Sequence, residues 1–364
     1  MAAIESATIT AFFLFDIADD IDLAALKDEI GGGVAEARFV PRSGAPSYFK
    51  YAVPPLVVDG DVVGLPPVEE FRARVKFFDY GVLSLALTRP FAGEWSDLIA
   101  LAQRYIENEE LERQAEEACR HAIRRASRTL AAARDAWLAE DYLVFAITSF
   151  GSPLTASDLL SRRSEEIALL LTGERRALSR QEQESVLSNR LSYFADDLVV
   201  PTWNAALVYD TEPGVQAALE IFEFANSQLL EFRYYDDRLD HELAGIYSQL
   251  QRKRRFDTIF GRGYIRAAHQ LHALFIDVNE ITDRTENALK MVGDMYAARL
   301  FHLVASRLGL ATWKASVEEK LETLDDIYRF AVEQVSIARG QLLELTIVGI
   351  LVFELILFFM GIMT

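Results

Sequence analysis

The sequence predicts an α+β fold: an N-terminal α/β domain with a small open sheet, a long helical coiled-coil region and one C-terminal transmembrane helix. Three observations carry that expectation. Strand-like and helix-like runs alternate over residues 1–95. Apolar residues recur at steps of three and four through most of residues 215–342, the spacing of a helical seam. The final run, LLELTIVGILVFELILFFMGIM, is almost wholly apolar. These divide the chain into an α/β module (1–95), a mixed region that completes the domain (96–210), a coiled-coil stalk (211–341) and an anchor (342–363).

Taken in order, residues 7–15 read as a strand. Asp20 then caps a helix through Ile30, with Leu23, Leu26 and Ile30 at helical spacing. Gly31-Gly32-Gly33 ends that helix and, because it follows a helix, does not read as a phosphate loop. Residues 38–40 and 48–58 are strand-like, the latter interrupted by Pro54-Pro55. Residues 71–88 form a double strand turning near Asp79-Tyr80-Gly81. The β-α-β-β order implies helices on one face of the sheet. Residues 96–134 are rich in Glu, Arg and Ala and predict one or two helices, on which Cys119 and His121 read as solvated-face or core-edge positions. A strand over 137–150 and a helix over 157–172 follow. Ser179 with Glu182 has capping-box spacing, and residues 203–208 form a short strand before a turn at 210–214.

Three long helices complete the chain. The first runs over 215–250, with Asp236 a polar break in its seam. The second runs over 264–307, with Thr282 and Thr285 in polar slots. The third starts near Val317 and stays in phase into the terminal apolar run, which makes a rigid stalk. That run is about 22 residues and roughly 33 Å as a helix, against a hydrocarbon core of roughly 30 Å. It carries Glu344 near one end and Glu354 near its middle. An ionised carboxylate at mid-membrane costs on the order of 3 kcal/mol, so Glu354 is expected to be protonated or paired, which implies self-association.

Composition narrows the function. Half the residues (51%) are hydrophobic, enough for a real core. The net charge of -18 argues against bulk nucleic-acid binding and against attraction to anionic lipid, so attachment must come from apolar insertion. One cysteine excludes an intrachain disulfide and a Cys-based zinc site and suits a reducing compartment. The N-terminus lacks a signal-peptide or transit-peptide pattern, so the bulk of the chain is expected in the cytoplasm, single-pass with a C-terminal anchor.

No GxSxG, HExxH or triad-like motif occurs, so no catalytic residue, cofactor or small-molecule substrate is expected. His269 with His272 and Asp237 with His241 have ligand-like spacing, yet a third ligand is missing, and no metal site is assigned. Arg252, Lys253, Arg254 and Arg255, with Arg262 and Arg266, make a basic turn between long helices. Such a turn suits a helix C-terminus, or a contact with RNA, a ribosome or an acidic partner.

Several segments resemble the RMD1/YagE family, also called the domain of unknown function 155 family. They are VKFFDYGVLSLAL, LSYFADDLVVPTWNAALVYD, LEIFEFANSQLLEFRYYDDRLD, and Leu343-Glu344 with Glu354 ten residues on. The resemblance covers the chain from about Phe71 to its end. It departs where the family places a His-Arg pair before the first glutamate and this chain has Gly340-Gln341-Leu342. The resemblance implies a membrane protein, since eukaryotic members lie in the mitochondrial inner membrane and one supports mitochondrial ribosomes. It supplies no catalytic residues. The expected function is a non-catalytic membrane-anchored scaffold or tether that forms homo-oligomers through stalk and anchor, with a link to translation. The alternatives are an oligomeric ion channel or transporter and a hydrolase in the α/β domain.

Overall fold

Strand β1 (Ile4–Asp16) is paired along both edges, and the first unit of the molecule is organised around it. The computed structural model describes residues 3–37, 53–68, 70–252 and 295–359. It divides into two units, one of residues 1–234 and 284–311, the other of residues 235–283 and 312–364.

In the first unit, β1 runs antiparallel to β6 (Val82–Gly93) and β8 (Ala139–Phe150). The sheet extends one way through β5 (Arg72–Phe77), β4 (Leu56–Asp59) and β3 (Val34–Glu36). The other way it extends through β10 (Ala205–Tyr209) to β9 (Leu198–Pro201). The order of the eight strands is β3-β4-β5-β6-β1-β8-β10-β9. A separate two-stranded pairing joins β2 (Asp20–Ile21) to β7 (Leu130–Ala131). Because β10 runs parallel to β8, a crossover must join them. Helices α5 (Ala156–Thr172) and α6 (Arg180–Ser188) lie in that crossover.

Alternation at period two sends Ile9, Ala11, Phe13 and Phe15 of β1 to one face, with Val75, Phe77, Leu85 and Phe145 from its neighbours. That face meets Leu26 of α1 (Leu23–Ile30), Trp95 and Leu98 of α3 (Trp95–Tyr105), Leu111 and Ala115 of α4 (Glu109–Ala126), and Leu159 and Ile167 of α5. A single turn, α2 (Gly60–Val63), follows β4. The caps are local: the Asp22 carboxylate accepts from Ala25 N–H, Asn108 from Leu111 and Ser179 from Glu182. The first helix is therefore capped by Asp22 and not Asp20, which is drawn into β2.

The opposite face of the sheet is covered by α7 (Glu212–Arg252). Every residue of 221–232 is buried, including Glu223, Asn226, Ser227, Gln228 and Glu231. Helix α8 (Met295–Arg307) adds Phe301, whose ring stands 5.8 Å from that of Phe224. In the second unit, α7 meets α9 (Leu310–Phe359). Leu239, Val317, Leu321 and Leu324 are buried there, and Asp236 accepts from Ser316 Oγ at 2.6 Å and from Lys320 at 2.8 Å.

Three expectations are corrected. The sheet is large and not small: residues 139–150 pair with β1, and β10 and then β9 extend the sheet beyond them. Helices cover both its faces, not one. Finally, among the described residues no helix is long and apolar enough to cross a membrane. The expectations of a transmembrane helix over 342–363, of tail anchoring and of a single-pass location are corrected accordingly. Over 343–357 the run carries two glutamates, Glu344 and Glu354, and residues 360–363 of the expected span lie outside the described residues.

The β5–β6 turn sets a strict requirement. Gly81 has φ +88°, and a Cβ there would lie 1.8 Å from the Ala18 carbonyl oxygen. Gly81→Ala is expected to destabilise the first unit by about 3 kcal/mol, read as a lower urea midpoint.

Candidate functional site

Strand β5 reads RARVKF, so Arg72, Arg74 and Lys76 project from the sheet face that α7 covers while Ala73, Val75 and Phe77 face the apolar core. Lys76 is 2% exposed. A buried ammonium needs acceptors, and α7 supplies two carboxylates at i, i+3 on one face. Lys76 Nζ donates to Glu220 at 2.8 Å and also to Glu223. Burial works to lower the lysine pKa, but the two carboxylates outweigh it and hold the pKa above its ordinary value.

The polar contacts continue along the helix. The Tyr80 hydroxyl lies 2.7 Å from Ser227 Oγ, which donates to the Phe224 carbonyl. Arg233 pairs with Glu140 of β8. Arg134 bridges Asp16 at 2.9 Å and Asp19 at 3.0 Å, and its guanidinium lies 3.9 Å from the Tyr234 ring centroid. Between these, Phe222 stacks on Tyr142 at 5.2 Å. The Tyr142 hydroxyl donates to the Thr202 and Ala205 carbonyls, and burial pushes its pKa well up. This buried seam fixes α7 on the sheet through residues 220–234.

Where α7 begins, the same sheet face opens into a cleft of about 210 Å³. Arg72, Arg74, Thr8, Thr10, Thr88 and Asp59 line its floor; Glu212, Gln216 and Leu219 of α7 close it from above. Neither arginine has an ion pair or hydrogen bond among the described residues.

The residues singled out by sequence lie elsewhere. Glu344 and Glu354 are exposed on α9. Arg252 is the last residue of α7, its side chain not described; Lys253, Arg254, Arg255, Arg262, Arg266, His269 and His272 lie outside the described residues. Asp237 and His241 are exposed one turn apart, with 3.6 Å between ring and carboxylate. No group of three or more potential metal ligands occurs among the described residues. Cys119 is buried, and burial raises its thiol pKa well above the ordinary range. Sequence reasoning missed Lys76 and its partners. The available signal was a lone cation inside an apolar VKFF run.

Comparison with known proteins places the chain in a family. Residues 6–216 match the family model described as the N-terminal domain of the uncharacterized protein MJ0711. The uncharacterized protein MJ0711 of Methanocaldococcus jannaschii is 24% identical over 221 residues, which is 60% of this chain and 65% of that protein. This chain thus spans just under two thirds of the length of the curated relative it matches. No solved structure matches.

Lys76→Met leaves buried Glu223 and half-buried Glu220 without their cation and is expected to cost about 3 kcal/mol in denaturant unfolding. The lysine pKa is raised on folding, so its contribution is fully present below the ordinary value near 10.5 and is lost as pH rises through the folded value. Urea midpoints followed into that alkaline range should fall more steeply for the wild type than for Lys76→Met.

Proposed function

The chain belongs to the MJ0711 N-terminal domain family, and from that premise we propose that it is a non-catalytic scaffold that assembles with copies of itself through its terminal helix. One observation carries this reading. Leu343, Leu345, Ile347, Val348, Ile350, Leu351, Val352, Phe353, Leu355 and Ile356 of α9 are each half exposed or more. They leave no polar stripe wide enough to face water, and a helix that is apolar all round is stable only when other apolar groups cover it. Further copies of the chain supply matching surfaces, and most soluble oligomers are closed assemblies of identical chains. Glu354 stands within the apolar stretch, where one polar side chain serves to select register and copy number.

We also propose that the likeness to the RMD1/YagE family reflects kinship. In support, two of the segments that carry it meet in the seam. VKFFDYG contributes Lys76 and Tyr80; LEIFEFANS contributes Glu220, Glu223 and Ser227. The link to translation that one member of that family suggests is on this reading a property of the assembled scaffold.

Light scattering after size exclusion, with lysine-independent crosslinking, tests the assembly. The full chain should form a discrete oligomer, and the double variant Ile347→Glu with Leu351→Glu should shift to monomer. A monomeric wild type, or an oligomer unchanged by the two glutamates, would refute it.

A further inference from the structure

We infer that the cleft between the start of α7 and strands β4, β5, β6 and β1 binds a small phosphorylated ligand by its phosphoryl oxyanion. The inference stands apart from the scaffold reading and uses other residues.

Register places the donors. Arg72 of β5 faces Thr88 of β6, and Thr88 faces Thr10 of β1, so a guanidinium and two hydroxyls cross three adjacent strands in one row. At roughly 4.8 Å per strand, the row spans roughly 10 Å between its outer backbones, room for an oxyanion over its centre. Arg74 stands two residues along β5 on the same face. Both arginines are exposed, and neither has a carboxylate or carbonyl partner among the described residues, although acids outnumber bases 55 to 37 in the chain. Guanidinium forks match tetrahedral oxyanions in geometry as well as charge.

Thr10 is the second, independent sign. It is 2% exposed, it lines the cleft, and its hydroxyl has no hydrogen-bond partner among the described residues. A buried hydroxyl left unpaired is costly, so one that borders a cleft is matched by what enters it. The volume of about 210 Å³ admits a phosphate and a few further atoms, and the remainder of the ligand extends to solvent.

The acidic groups set the strength. Asp59 faces Arg74 across the β4–β5 pairing, and Glu212 accepts from Gln216 at 3.2 Å. They bring the cleft near neutrality and imply affinity of about millimolar. The α7 N-terminus contributes little, since the buried Asp210 carboxylate already accepts from Thr211 N–H at 2.6 Å.

Titration calorimetry of the full chain with inorganic phosphate, at constant ionic strength set with chloride, tests the site; acetate serves as the carboxylate arm. Saturable phosphate binding is expected, stronger than acetate binding. Arg72→Gln and Arg74→Gln should each weaken it roughly tenfold or more. Thr10→Val should weaken it several-fold while melting at or above the wild-type temperature, and Thr10→Ser should retain binding. Absence of saturable binding, equal affinity for acetate, or undiminished binding in the double arginine variant would overturn the site. A lowered melting temperature in Thr10→Val would show that the hydroxyl already has a partner and would count equally against it.

Discussion

The seating of the Lys76 ammonium between Glu220 and Glu223 is the constraint on which the first unit depends. The sheet face under α7 is not a uniform apolar surface. Its β8 and β10 side offers Tyr142, Val144, Ala206 and Val208, whereas its β5 side offers a row of cations. A helix laid on such a face has to carry acid on one side and apolar rings on the other. Helix α7 does so within four residues: Glu220 and Glu223 meet Lys76, and Phe222 stacks on Tyr142. Two unlike contacts on opposite sides fix both the rotation of the helix and its position along its axis. A buried ion pair adds little net stability compared with apolar packing, but the cost of breaking it excludes neighbouring registers.

The cleft follows from the same arrangement. Strand β5 presents three cations at two-residue intervals, and the first turns of α7 bring a single carboxylate to the cleft, that of Glu212, which accepts from Gln216. Lys76 falls under the helix and is paired. Arg74 and Arg72 fall under its first turns and make no ion pair or hydrogen bond among the described residues. The result is one cation used to hold the structure and two left at the edge of an open space, with Thr10 buried beside them.

Much of the first unit was legible in the sequence. The β5–β6 hairpin, β1, β8, α5 and the Ser179 cap all follow from alternation, turn chemistry and capping, which are local. The size of the sheet was not legible, because strand pairing between residues 4–16 and 139–150 is set by tertiary contact and leaves no mark in either segment alone. Helix α7 misled for a physical reason. Steps of three and four identify an apolar stripe, but they do not show that Glu223, Asn226, Gln228 and Glu231, which lie off that stripe, are buried as well. Asp236 was recognised as a polar break, and its reason appears only with Ser316 and Lys320 of α9. At the terminus, apolar composition pointed to a span, whereas among the described residues no helix is long and apolar enough to cross a membrane. The candidate site was the least legible part: Lys76 and Glu220 are 144 residues apart, and no spacing rule joins them.

Native-state hydrogen exchange on Lys76→Met, compared with the wild type, tests the central role of that lysine most directly. If the ion triad seats α7, amides over residues 215–232 will lose protection well before those of β1 and β8. If those helical amides keep their protection, or if helix and sheet lose it together, the lysine does not govern how the helix lies on the sheet.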